Sequence, residues 1–125
     1  MVASPPWGNH VPRGARDMVT VKVERDASGL VRKIIAEGHA LFDKHGQDIV
    51  CAAVSALLQT AAQGLQERLG VAVQYTSRNG KLRMSLPRKD FESEEAAVGA
   101  RILLDCIVMG LESIARDYPG HVRLI

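Results

Sequence analysis

From Met18 onward the chain alternates in a way that separates strands from helices. Val19, Val21 and Val23 are interleaved with Thr20, Lys22 and Glu24, the period-two pattern of a half-buried strand. Arg25-Asp26-Ala27-Ser28-Gly29 is a turn cluster. Leu30 to Glu37, β-branched at Val31, Ile34 and Ile35, predicts the second strand of a hairpin. The stretch from Gly38 to Gln47 has no periodicity and predicts a loop. Asp48 then stands where a helix N-cap is wanted, before Val50, Ala53, Val54, Leu57, Leu58, Ala61 and Leu65 at helical spacing. This helix is expected over Ile49 to Leu69. Its first half is apolar nearly all round, which implies burial on more than one side. Gly64 inside it costs about 1 kcal/mol relative to Ala, and Gly70 is a natural stop.

A second hairpin follows. Val71, Val73 and Tyr75 alternate, Asn79-Gly80 is a strong two-residue turn signal, and Leu82, Met84 and Leu86 alternate up to Pro87. Ser93 begins a second helix running to about Asp117. Its stripe is Ala97, Ala100, Leu104, Ile107, Val108, Leu111 and Ile114, and Pro119-Gly120 breaks it. His121 to Ile125 is a candidate final strand. Two hairpins separated by helices predict an α+β fold of two layers. Two long helices would pack on a mostly antiparallel sheet built from the two β-hairpins.

Residues 1–17 do not share this patterning. They hold Pro5, Pro6 and Pro12 without periodicity, and Val11-Pro12-Arg13-Gly14 resembles a protease-site linker. We expect a disordered or linker-derived tail over 1–17 and a single domain over 18–125. The whole chain carries net charge +2. Without the tail it has 14 basic and 13 acidic residues, or +1. No linear block of Lys or Arg occurs and only five residues are aromatic. A dedicated nucleic-acid binder usually shows a basic stripe with stacking aromatics, so no direct nucleic-acid contact is expected. No uninterrupted apolar run approaches the roughly 18 residues that span a bilayer, so no membrane association is expected either. Two cysteines make no disulfide framework, and no secretory signal is evident. A reducing cytoplasmic setting follows.

The chemistry-bearing pattern is Gly38-His39-Ala40 followed, after a glycine-containing loop, by Asp48-Ile49-Val50-Cys51-Ala52-Ala53-Val54-Ser55. His39 and Cys51 stand twelve positions apart, and the loop between them can fold back to bring them together. If Asp48 caps the helix, Cys51 is its third residue, near first-turn amides and the positive end of the helix dipole. That setting favours the thiolate, the nucleophilic form. The Asp48 charge opposes it. His39 is positioned to accept the thiol proton and return it to a leaving amine. First-turn amides could serve an oxyanion, although an amide held by Asp48 could not. On spacing alone the bland reading is the stronger one: cysteine in an apolar helix is usually packing. Cys106, mid-helix without a nearby histidine, reads as structural. Ser55, one turn beyond Cys51, touches either the site or a helix carbonyl. His39, His45, Asp48 and Cys51 do not follow a standard zinc spacing, so neither metal nor cofactor is expected.

The Gly-His-Ala element and the Asp48 to Ser55 block resemble the signature of the ribosomal-processing cysteine protease family, Prp. The resemblance runs through both hairpins to Ile114-Ala115-Arg116-Asp117-Tyr118-Pro119. It implies a cysteine endopeptidase (a thiol protease, hydrolase) that removes the N-terminal extension of large-subunit ribosomal protein twenty-seven during ribosome maturation. The nucleophile would be Cys51 and the general base His39, with Gly38, Asp48 and Ser55 supporting the site. It also implies a homodimer, a flexible loop at Leu41 to Gln47, and an apolar leader peptide as substrate, cut between Phe-Phe and Ala. A non-catalytic ribosome-associated binding module using the same groove is the alternative. An RNA-binding protein is a third reading, against which the missing basic stripe argues.

Overall fold

The computed structural model describes residues 18–38 and 49–125. The loop expected at Leu41 to Gln47, together with His39, His45, Asp48 and the tail 1–17, lies outside the described residues. The elements are β1 (Val19–Arg25), β2 (Val31–Glu37), α1 (Ile49–Leu69), β3 (Gln74–Arg78), β4 (Lys81–Ser85), α2 (Glu94–Asp117) and β5 (Val122–Leu124). The strands form one open sheet in the order β3-β4-β2-β1-β5. All neighbours are antiparallel except β1 and β5. The α+β expectation holds, with the sheet mixed at that edge.

The first hairpin follows its turn chemistry. The Asp26 carboxylate accepts from the Ser28 amide at 2.8 Å, the Ser28 hydroxyl at 2.6 Å and the Leu30 amide at 3.2 Å. These bonds stabilise the charged form and hold the Asp26 pKa below its ordinary value, the Ser28 hydroxyl contributing most. On β2 the buried positions are Val31, Ile34 and Ala36, so the alternation slips once. The register explains it: Glu24 faces Lys33 while Arg25 faces Val31, which leaves Arg32 as the extra residue of a β-bulge. Ile35, read as a strand residue of the same set, consequently points to the other face.

The second hairpin turns at Asn79 (φ 53°) and Gly80 (φ 74°), the paired left-handed geometry of a type I′ turn. Val71 and Val73 are buried but precede the strand, which begins only at Gln74. The alternation there arises from two side chains plugging the core under a connecting segment, not from ladder pairing.

Both helices pack on one face of the sheet, over Val19, Val21, Ile34, Met84 and their neighbours. Helix α1 ends as expected: Gly70 is left-handed (φ 66°) and the Val71 amide folds back to donate to the Leu65 carbonyl at 2.8 Å, satisfying one of the last-turn carbonyls. Ser93 caps α2, its hydroxyl accepting from the Ala96 amide at 3.0 Å.

The helices run antiparallel, with glycine facing leucine along the seam. A Cβ on Gly64 would lie 2.8 Å from Leu103 Cδ2. One on Gly99 would lie 2.7 Å from Leu69 Cδ2, and one on Gly110 3.1 Å from Leu57 Cδ1. Gly64 therefore does not interrupt α1; it lets the second helix approach. By length and mean hydropathy α1 also qualifies as a bilayer span, although polar residues interrupt its apolar run. Its Val54, Leu58 and Leu65 are fully buried in the fold, the position of a core helix.

Candidate active site

Gly38 is the last described residue before the loop, and it is tightly held. Its amide donates to the Gly80 carbonyl at 2.9 Å. A Cβ on Gly38 would lie 2.8 Å from the Met18 carbonyl oxygen and 3.2 Å from Val19 Cα, both backbone atoms that cannot swing aside. A Cβ on Gly80 would in turn lie 2.9 Å from the Gly38 carbonyl oxygen. The chain thus leaves β2 wedged between the start of β1 and the β3–β4 turn. The residue that follows in the sequence is His39.

Cys51 is the third residue of α1 and 7% exposed, within the main apolar cluster. It sits at the positive end of the helix dipole, in the first turn. Ser55 is half-buried one turn further along the same face. Gln59 continues that line. Helix α1 and the chain after it run in opposite directions. The Gln66 side-chain amide donates to the Val73 carbonyl at 3.4 Å, and the Gln59 side chain lies beside the Tyr75 phenol. Two turns nearer the helix start, Cys51 comes to about the level of the Asn79-Gly80 turn. That is the end of the sheet at which Gly38 leaves β2. The fold therefore brings the Cys51 end of α1 and Gly38 to the same end of the two-layer sandwich. His39 and Asp48 themselves lie outside the described residues.

Cys106 does not match its expected place. It is exposed in the middle of α2 and makes no core contact of the kind read from its apolar neighbours. The buried line of α2 runs through Ala100, Leu104, Ile107, Val108 and Leu111. Cys106 falls on the opposite side of the helix, with Val98, Ile102 and Met109, which are 49%, 59% and 63% exposed.

Tyr75 was read only as a strand position. Its hydroxyl oxygen is buried, and among the described residues no partner meets it at hydrogen-bonding geometry, although the Gln59 side chain is close. Burial raises the phenol above its ordinary value, and Gln59 offsets part of the effect. The pairing joins residues sixteen apart in sequence and depends on the reversal at Gly70, so no local signal marks it. No group of three or more His, Cys, Asp or Glu is placed to hold a metal ion among the described residues.

The model of the cysteine protease Prp family matches residues 18–123 of this chain. The chain belongs to that family. It is 34% identical over 90 residues to the ribosomal processing cysteine protease Prp of Mycoplasma pneumoniae, covering 72% of this chain and 82% of the relative. It is 28% identical over 109 residues to the Bacillus subtilis protein of the same name, covering 86% and 96%. Among solved structures it resembles the ribosomal processing protease Prp of S. aureus in complex with a covalently linked product peptide. There the TM-score is 0.70 and the identity 26%, over 86% of this chain and 97% of that one. The chain is accordingly a cysteine protease of the ribosomal processing family, and the reading as a non-catalytic module gives way.

Proposed function

We propose that the chain is an endopeptidase that uses Cys51 as nucleophile and His39 as general base to remove the N-terminal leader of large-subunit ribosomal protein twenty-seven. The observation that carries the proposal is Cys51, buried in the first turn of α1 of a chain that belongs to a cysteine protease family. In the first half-reaction His39 takes the Cys51 proton, and the thiolate sulfur bonds to the scissile carbonyl carbon. The C–N bond then breaks, the amine leaves with the proton returned by His39, and a thioester remains. Water, deprotonated by His39, attacks the thioester and releases the leader as a carboxylate with the thiol restored. Gly38 positions the base through the backbone. Asp48 holds the helix end and Ser55 lines the site. Ile49, 74% exposed beside Cys51, offers apolar contact to a leader ending in Phe-Phe.

The S. aureus protease holds a covalently linked product peptide in one solved complex, which supports a covalent mechanism in this chain also. The exposed apolar line Val98, Ile102, Cys106 and Met109 on α2 supports a homodimer with a second copy seated there. A cytoplasmic setting suits both a reduced thiol nucleophile and a ribosomal substrate.

The test is cleavage of a peptide that spans the leader and the mature start, followed by mass spectrometry. A single cut after Phe-Phe is expected for the unaltered chain and none for Cys51→Ala or His39→Ala. A cut that persists in Cys51→Ala overturns the assignment. Light scattering on Ile102→Glu should show monomer where the unaltered chain is a dimer.

A further inference from the structure

The register of the sheet sorts its charges onto the face that the helices do not cover. Partners across the ladders share a face. One outward row runs Arg123, Thr20, Glu37, Lys81, Arg78. The next runs Lys22, Ile35, Arg83, Thr76, and the third Glu24, Lys33, Ser85, Gln74. Six cations and two carboxylates therefore occupy one open face of a chain whose total charge is only +2. The helical layer carries the opposite balance, with Arg68, Arg101 and Arg116 against six acidic side chains in α1 and α2.

The cations are not used up by the fold. Glu24 takes both Lys22, at 3.7 Å, and Lys33, at 3.9 Å, in exposed pairs of the weak kind. Arg78, Lys81, Arg83 and Arg123 have no ion-pair partner among the described residues. At one corner the face deepens into an open cleft of about 650 Å³ walled by Arg32, Lys33, Arg83 and Arg88, with Glu24 as its acid. The Arg32 guanidinium donates to the Pro87 carbonyl at 2.7 Å, which fixes one wall in advance.

We propose that this open sheet face binds the phosphate backbone of structured RNA, with the Arg32–Lys33–Arg83–Arg88 cleft as its principal phosphate site. From β5 to β3 the array spans four strand spacings, about 19 Å, wide enough to meet several phosphates at once. Three of the four unpaired cations are arginines, whose planar fork matches phosphate oxygens. No aromatic side chain stands in the three rows, so the face reads backbone and not bases. It also lacks the large exposed apolar residues that would anchor it to a lipid surface; those lie on the helices and near the C-terminus. The linear sequence hides this face because strand alternation spaces its cations between core residues. The expectation of no nucleic-acid contact, drawn from the absence of a basic block, is the reading this proposal replaces.

The choice of RNA among polyanions rests on the proposed ribosomal role; the cationic face does not. The experiment is fluorescence anisotropy of a labelled RNA hairpin titrated with the full chain at 50 and 200 mM KCl. Engagement of about four phosphates predicts a loss of affinity on the order of 10²-fold between the two salts. Arg83→Gln/Arg88→Gln should weaken binding at least about tenfold at 50 mM KCl. Arg68→Gln/Arg116→Gln, which removes the same charge from the helical layer, should change it less than about twofold. Thermal melts confirm that both pairs fold. Absence of binding by the unaltered chain at 50 mM KCl overturns the proposal, as does equal loss in the two double variants. Equally tight binding of a poly-glutamate peptide overturns the assignment to RNA. Leader cleavage is read in parallel: a chain that cleaves without binding RNA sinks this inference alone, and one that binds without cleaving sinks the proposed substrate alone.

Discussion

The two helices have similar lengths and each carries one cysteine, yet they place it oppositely. In α1 the thiol lies in the first turn, inside the apolar cluster. In α2 it lies mid-helix and faces outward. Angular position decides this, not the apolarity of the immediate neighbours. Cys51 and Leu58 are seven residues apart and therefore on one face, whereas Cys106 is flanked by Leu104 and Ile107 but points away from both. A buried cysteine in the first turn of a helix has the positive end of the dipole to work with. One on an outward helix face has only solvent or a partner.

The sharpest way to break this contrast is to exchange the thiols for inert groups. Cys51→Ala should lower peptide cleavage by at least about 10³-fold. Cys106→Ser should leave it within about twofold. Equal effects in a cleavage assay would remove the distinction between the helices. The seam that holds the two together comes next. Gly64→Leu drives a side chain into Leu103 and should cost about 1–3 kcal/mol, read as a lower urea midpoint. An unchanged midpoint would mean that α2 is free to move away.

A smaller effect separates the helix ends. Ser93→Ala removes the hydroxyl that accepts from the Ala96 amide and should cost about 1 kcal/mol, again by urea unfolding. The smallest concerns Tyr75 against α1. Its phenol is raised by burial, so the folded chain keeps the proton longer than the unfolded one. That stabilisation is complete below the ordinary phenol value near 10 and is lost as pH climbs through the higher folded value. Tyr75→Phe should flatten this alkaline loss. At neutral pH it should shift stability by less than about 1 kcal/mol, toward greater stability, because it deletes an unpaired buried hydroxyl. A steepened alkaline loss in melts at several pH values would contradict it.

Much of the architecture was legible from pattern. Alternating valines, the Asn79-Gly80 turn, the Gly70 stop and the Ser93 cap act within a few residues, so local chemistry decides them. The first-turn position of Cys51 was legible too, since Asp48 and the apolar spacing after it mark the helix start. What pattern left open were the features made by contact between distant segments. The β2 alternation slips at Arg32 because of pairing with β1. Val71 and Val73 plug the core ahead of the strand they mimic. Gly64, a flaw on propensity alone, is where Leu103 seats.

By itself the sequence determined the order and type of the elements, the family, and the chemistry available at residues 38 to 55. Those depend on local backbone preference and on which side chains are present. Tertiary structure alone decided which end of the sheet Cys51 approaches, which cysteine is covered, and that scattered lysines and arginines share one open face. Such facts follow from register and helix rotation. A shift of one residue in a strand, or of 100° about a helix, exchanges inside for outside without altering composition.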